Sequence, residues 1–153
     1  MRRLLAVIGL LVLVSTGARA QFFTNGTDPG YLKWNSIETS NYQVLYPRGA
    51  DSLARNYARL LERFRVPSGY SIGLTPGELQ WSKKLPVVLH PFNGYSNGSV
   101  GWAPSRMEIY TIPEPLGGNP VPWELQLMTH EPRHQAQLQM GFTGWLKYLG
   151  YLT

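Results

Sequence analysis

His130-Glu131-Pro132-Arg133-His134 places two of the chain's three histidines four residues apart, with a carboxylate directly after the first. On a helix, residues i and i+4 share a face, so both imidazoles can direct a nitrogen at one metal ion. Glu131, rotated by about 100°, then reaches a water on that metal. Zinc lowers the pKa of such a water to about 7, and the glutamate takes its proton as the water attacks a carbonyl. The chemistry is metal-assisted hydrolysis, with His130 and His134 as Zn2+ ligands and Glu131 as general base. A structural pair of histidines is the alternative. Two residues sit awkwardly in the motif. Pro132 lacks an N–H and its ring opposes the Met128 carbonyl, at a cost of about 3 kcal/mol in a helix interior. Arg133 puts a charge beside the second histidine.

The motif needs a helix under it. One candidate runs from Trp123 to Met140, with Pro122 in its first turn and Gly141 as its C-terminal cap. A start at Thr129 is the other, and it would put Pro132 in the first turn. Upstream, Trp34–Glu38 and Tyr42–Tyr46 flank Thr39-Ser40-Asn41 as a hairpin that Pro47-Arg48-Gly49 ends. From Ala50 to Phe64, Leu53, Tyr57, Leu60, Leu61 and Phe64 repeat at helical spacing and predict a helix with one buried face. Val66 to Ser82 carries Pro67, Gly69, Gly73, Pro76 and Gly77 and reads as a long connection. Leu85–His90 is a compact β-run, Pro91–Asn97 a loop, and Ser99–Trp102 and Arg106–Ile112 short strands that Pro113 and Pro115 terminate. The order is hairpin, helix, strand, loop, strand, motif helix, without internal repeat, and the class is α+β.

Residues 1–20 read as a signal peptide: Arg2 and Arg3 as a positive start, Leu4 to Val14 as an apolar core, and Ala18-Arg19-Ala20 as the cleavage site. The apolar core is too short to span a bilayer. Cleavage removes three arginines, so fourteen basic residues become eleven against nine acidic and the net charge falls from +5 to +2. Arg55, Arg59, Arg63 and Arg65 make a basic helix face with no interleaved aromatic stripe, which argues against nucleic acid as a partner. With no cysteine there is no disulfide framework and no thiolate metal site. Export to a bacterial periplasm or to the medium is the expectation. Residues 21–153 suffice for one domain. The apolar run Trp145 to Leu152, without a helix stop, predicts a domain that is incomplete at its C-terminus.

The strand and loop Val87–Tyr95, the segment Ser96-Asn97-Gly98-Ser99-Val100-Gly101-Trp102-Ala103-Pro104, the strand Arg106–Thr111 and the His130–His134 helix together resemble the N-terminal peptidase-MA-like domain of secreted bacterial proteins. That domain is a gluzincin type whose longer members continue into a TolB-like β-propeller. The resemblance covers residues 21–153. It implies a zincin-like mixed sheet whose edge strand lies beside the active-site helix and holds an extended peptide by main-chain pairing, with Arg106–Thr111 placed at that edge. It implies His130 and His134 as ligands, Glu131 as base, and a glutamate on a following helix as third ligand. Gln135–Thr153 contains no Asp, Glu, His or Cys to serve, whereas catalytic zinc takes three protein ligands and a water.

His90 is an alternative third ligand, although a histidine ending a strand before Pro91 is more readily structural. Glu124 lies about 10 Å from Glu131 along the helix axis, too far for the same metal. Tyr95 and Tyr110 could polarise a carbonyl, or simply pack. Arg133 is expected to pair with an acidic neighbour or to face solvent. The functional expectation is an exported zinc metallopeptidase-like domain acting on peptide or protein, with a cell-envelope partner or downstream β-propeller. The alternative is a non-catalytic peptide- or glycan-binding module of the same fold.

Overall fold

Period-two burial in most of the strands and one buried stripe in each helix build a sheet with helices on one face. The computed structural model describes residues 28–79, 83–102, 104–116 and 120–141. The expected signal peptide at 1–20 and the apolar run at 145–152 lie outside the described residues. The elements are β1 (Trp34–Glu38), β2 (Tyr42–Pro47), α1 (Asp51–Tyr70), β3 (Leu85–His90), β4 (Gly98–Trp102), β5 (Ser105–Tyr110) and α2 (Trp123–Gly141). The class is α+β, with a five-stranded mixed sheet in the order β1-β2-β3-β5-β4. The centre is parallel, β2 with β3 and β3 with β5, and an antiparallel hairpin closes each side. Among the described residues, no helix is long and apolar enough to cross a membrane.

One register line crosses all five strands: Ile37, Val44, Val87, Met107 and Val100 are successive partners. Because side chains alternate across a strand, these residues share the helix-facing side with Tyr42, Leu85, Leu89 and Ile109. They form the core with Ala54, Tyr57, Ala58 and Leu61 of α1 and with Leu127 and Met128 of α2. Ala54 and Ala58 lie at the centre of the α1 face, where their small side chains let the helix sit close to the sheet. The larger Leu53, Leu60 and Phe64 are only partly buried at its flanks.

The Pro47-Arg48-Gly49 turn ends β2 as expected. Gly49 has φ +93, a conformation that side-chain-bearing residues seldom adopt, and the Ala50 amide donates to the Pro47 carbonyl at 3.1 Å. Asp51 opens α1 and accepts from the Tyr46 hydroxyl at 3.1 Å.

Two expectations are corrected. Helix α1 does not stop at Phe64 but continues to Tyr70, taking in part of the expected connection. Pro67 removes a single helical donor, while Ser68 and Gly69 are buried, with Gly69 lying against the Leu79 side chain where a Cβ would collide. Tertiary packing overrides the breaker signal. The second correction concerns the sheet edge. The strand expected there, Arg106–Thr111, corresponds to β5, which is sandwiched between β3 and β4, and the edge is β4. Apolar alternation at Met107 and Ile109 reports burial on one face and is silent about lateral neighbours, whereas the glycines of β4 weaken its strand signal.

The first hairpin is tied to α1 by Glu62. Its carboxylate accepts from the Asn41 amide at 2.8 Å and from Asn41 Nδ2 at 2.7 Å. Burial pushes this carboxyl up, but hydrogen bonds from Thr39 and Asn41 and the nearby Arg65 charge outweigh it and hold the group below the ordinary carboxylate range. A depressed native pKa contributes stability above the unfolded value that is lost as pH falls through the native one. Glu62→Gln is therefore expected to lower unfolding free energy by about 1–2 kcal/mol at pH 7. In urea titrations the gap to the wild type should close as pH drops below 4.5. A gap that is constant across this range would assign the loss to shape rather than charge.

Candidate metal centre

The helix that carries the motif spans Trp123–Gly141, so the start at Trp123 is the correct alternative and Pro132 lies in the helix interior. Leu127, Met128, Glu131, Pro132, Gln135 and Ala136 form its buried stripe, at successive intervals of one and three. Pro132 thus serves as an apolar packing residue, and its ring is covered. Next to it, Thr129 Oγ1 lies 2.9 Å from the Leu125 carbonyl and 3.0 Å from that of Gln126, bonding back along the helix where the proline weakens the ladder.

Rotated away from this stripe, His130 and His134 stand on the exposed side with their rings 4.5 Å apart and nearly perpendicular. Their Nε2 atoms approach to 2.9 Å. Two imidazole nitrogens on a tetrahedral zinc, each at about 2.05 Å, lie about 3.3 Å apart. The observed pair is within a few tenths of an ångström of that separation, so the donors fit two positions of one zinc ion. His134 Nδ1 is 2.9 Å from Gln137 Oε1. Burial, followed by the neighbouring His134 and Arg133, pushes the His130 imidazole below its ordinary value, which favours the neutral, ligating form.

Glu131 is 2 % exposed, and its Oε2 is buried without a hydrogen-bond partner. An orphaned carboxylate oxygen at such a place is a group awaiting a proton or a donor. Burial raises the Glu131 pKa, partly opposed by His134. The carboxyl occupies a notch in the sheet. Gly98 pairs with the helix-facing Ile109, so its side chain would point at α2, and a Cβ there would fall 2.5 Å from Glu131 Cγ, Cδ and Oε1. Strand β4 and the motif helix meet through the missing side chain of Gly98.

Between them lies a cavity of about 400 Å³, lined on the strand side by Asn97 to Val100 and on the helix side by His130, Glu131, His134, Gln137 and Leu138. That volume suits a small ligand or a short stretch of peptide. Among the described residues, no group of three His, Cys, Asp or Glu side chains gathers here to hold a metal.

The remaining candidates are placed elsewhere. His90 does not line the cavity: its Nδ1 is 2.5 Å from Asp28 Oδ2, and its ring stacks on Tyr110 at 4.6 Å. Tyr110 is buried in that stack, and Tyr95 meets it edge-on while its hydroxyl accepts from Asn97 Nδ2 at 3.2 Å. Both tyrosines pack. Glu124 lies within electrostatic reach of Tyr57, whose hydroxyl pKa burial raises and Glu124 raises further. Arg133 is exposed, the second of its two expected placements, and donates from Nε to Ser71 Oγ at 3.1 Å. Sequence reasoning missed Gln137 and the role of Gly98. Helical spacing from His134 could have found the first, while nothing local marks the second.

Gly98→Ala should displace the Glu131 side chain, the flexible party in the clash, into the cavity and toward solvent. The Glu131 carboxyl, followed by 13C NMR titration, is then expected to move down toward the ordinary carboxylate value near 4.5, with the fold retained. An unaltered titration would show that the glycine does not set its burial. Compared with known proteins, the chain matches no family model, no curated protein and no solved structure.

Proposed function

We propose that this protein is an exported metallopeptidase-like domain that hydrolyses peptide bonds with the aid of zinc held by His130 and His134, in the manner of a gluzincin. The observation that carries the reading is the convergence of the two Nε2 atoms at 2.9 Å beside the buried Glu131 carboxylate, whose Oε2 has no hydrogen-bond partner. Zinc, when bound, supplies polarisation of a carbonyl and acidification of a water to a pKa near 7. Glu131 takes the proton of the attacking water and delivers it to the leaving amine. Its burial raises its basicity, which suits a group that must accept and return a proton near neutral pH. The outer edge of β4 offers main-chain donors and acceptors to an extended peptide laid across the cavity. The zincin-like arrangement is supported by this edge strand, which lies beside the motif helix even though it is β4 rather than β5.

A second reading, recognition of a peptide or glycan without hydrolysis, is favoured by one observation: only two imidazole donors converge among the described residues. Elemental analysis of the full chain against a His130→Ala, His134→Ala double variant separates the two. The metallopeptidase reading expects stoichiometric zinc that the double variant loses. With zinc in place, Glu131→Gln should keep the metal and slow cleavage of a quenched fluorescent peptide mixture by about 10²–10⁴. A folded wild-type protein free of zinc after dialysis against the metal would favour recognition alone.

A further inference from the structure

We infer that Gln137 is a positioning residue that fixes the tautomer of His134, so that Nε2 of this imidazole is presented with its lone pair free before any metal arrives. This rests on the metal-centre reading for its purpose, though not for its chemistry. A neutral imidazole carries one proton on one of its two nitrogens, and a nitrogen that carries it cannot ligate. The Gln137 amide faces His134 through Oε1 at 2.9 Å, and an oxygen can only accept. The proton of His134 is thereby held on Nδ1.

The 2.9 Å contact between the two Nε2 atoms then has a defined direction. His134 Nε2, being unprotonated, must accept, so His130 Nε2 donates. The metal-free pair is asymmetric: His134 is preset, while His130 carries its proton on the atom that faces its neighbour. Loading a metal requires a change at His130 alone, where the Nε2 proton must leave or move to Nδ1. The sequence makes this arrangement cheap, because residues 130, 134 and 137 are spaced by four and three and lie in a row on one side of α2. Glutamine is ambivalent, however. With its amide reversed, Nε2 would donate to Nδ1, put the His134 proton on the ligating atom and close the site.

Long-range 1H–15N correlation spectra of the full-chain protein, free of metal and at about pH 8.5 where ordinary imidazoles are neutral, read that direction. The expected result is the Nδ1–H form for His134 and the Nε2–H form for His130. Gln137 is exposed, so Gln137→Leu removes the acceptor without disturbing the core and should release His134 to a mixture of tautomers. Gln137→Glu keeps an acceptor and should retain the Nδ1–H form. Zinc competition against a chelating dye should weaken about 10–100-fold in Gln137→Leu and hold or tighten in Gln137→Glu. A wild-type His134 protonated on Nε2, or a His134 tautomer indifferent to Gln137→Leu, overturns the inference. Glutamine-dependent Nδ1–H in a wild-type protein that takes up no zinc upholds it and instead sinks the metal-centre reading.

Discussion

The close approach of helix α2 to the edge strand at Gly98 is the constraint on which the rest of the site depends. A helix normally stands off a sheet by the depth of two interleaved side-chain layers, and here one of those layers is absent at a single register position. The space goes to the Glu131 carboxyl. Its burial, the upward push on its pKa and the orphaned Oε2 follow from that omission. Any larger residue at 98 would take that space and drive the acid out into the cavity.

The helix is held in that approach from its far side as well. Arg133 reaches Ser71 just beyond the end of α1, and Gln139 donates to the Glu78 carbonyl. Beneath them Ala136 packs with Leu74 and Leu79 in a small second core. Tyr42, at the centre of the sheet, donates to Gln135 one turn along from Glu131 at 3.4 Å. These contacts follow Pro132, and the buried Leu127, Met128 and Glu131 precede it, which explains how a residue that removes a backbone donor can persist in mid-helix: the segment is located by what it touches rather than by its own ladder.

Much of this was legible beforehand because it is local. The hairpin around Thr39-Ser40-Asn41, strand Leu85–His90, the long motif helix and the pairing of His130 with His134 each rest on spacing within one element, and spacing is what a sequence displays. What failed was lateral or tertiary. Pro67 and Gly69 look like breakers until Leu79 arrives to cover them. Which of two short strands occupies the sheet edge depends on how a hairpin docks against β3, and no residue in either strand encodes it locally. Gly98 reads as one of several glycines in a polar segment, and its meaning comes from a carboxylate 33 positions further along the chain.

The sheet order also has a kinetic side. Both outer pairs, β1 with β2 and β4 with β5, join neighbours in sequence and can close in microseconds, whereas the parallel centre must bring together β2 and β3 across the whole of α1, and β3 and β5 across β4. The wall that carries Gly98 thus belongs to a fast local hairpin, and the imidazoles belong to a helix that gains its place only by docking. Neither part encloses the Glu131 carboxyl alone. In the unfolded chain this acid is hydrated, and its burial requires strand β4 and the motif helix together, which makes the protonation behaviour of one glutamate a reporter of completed tertiary structure.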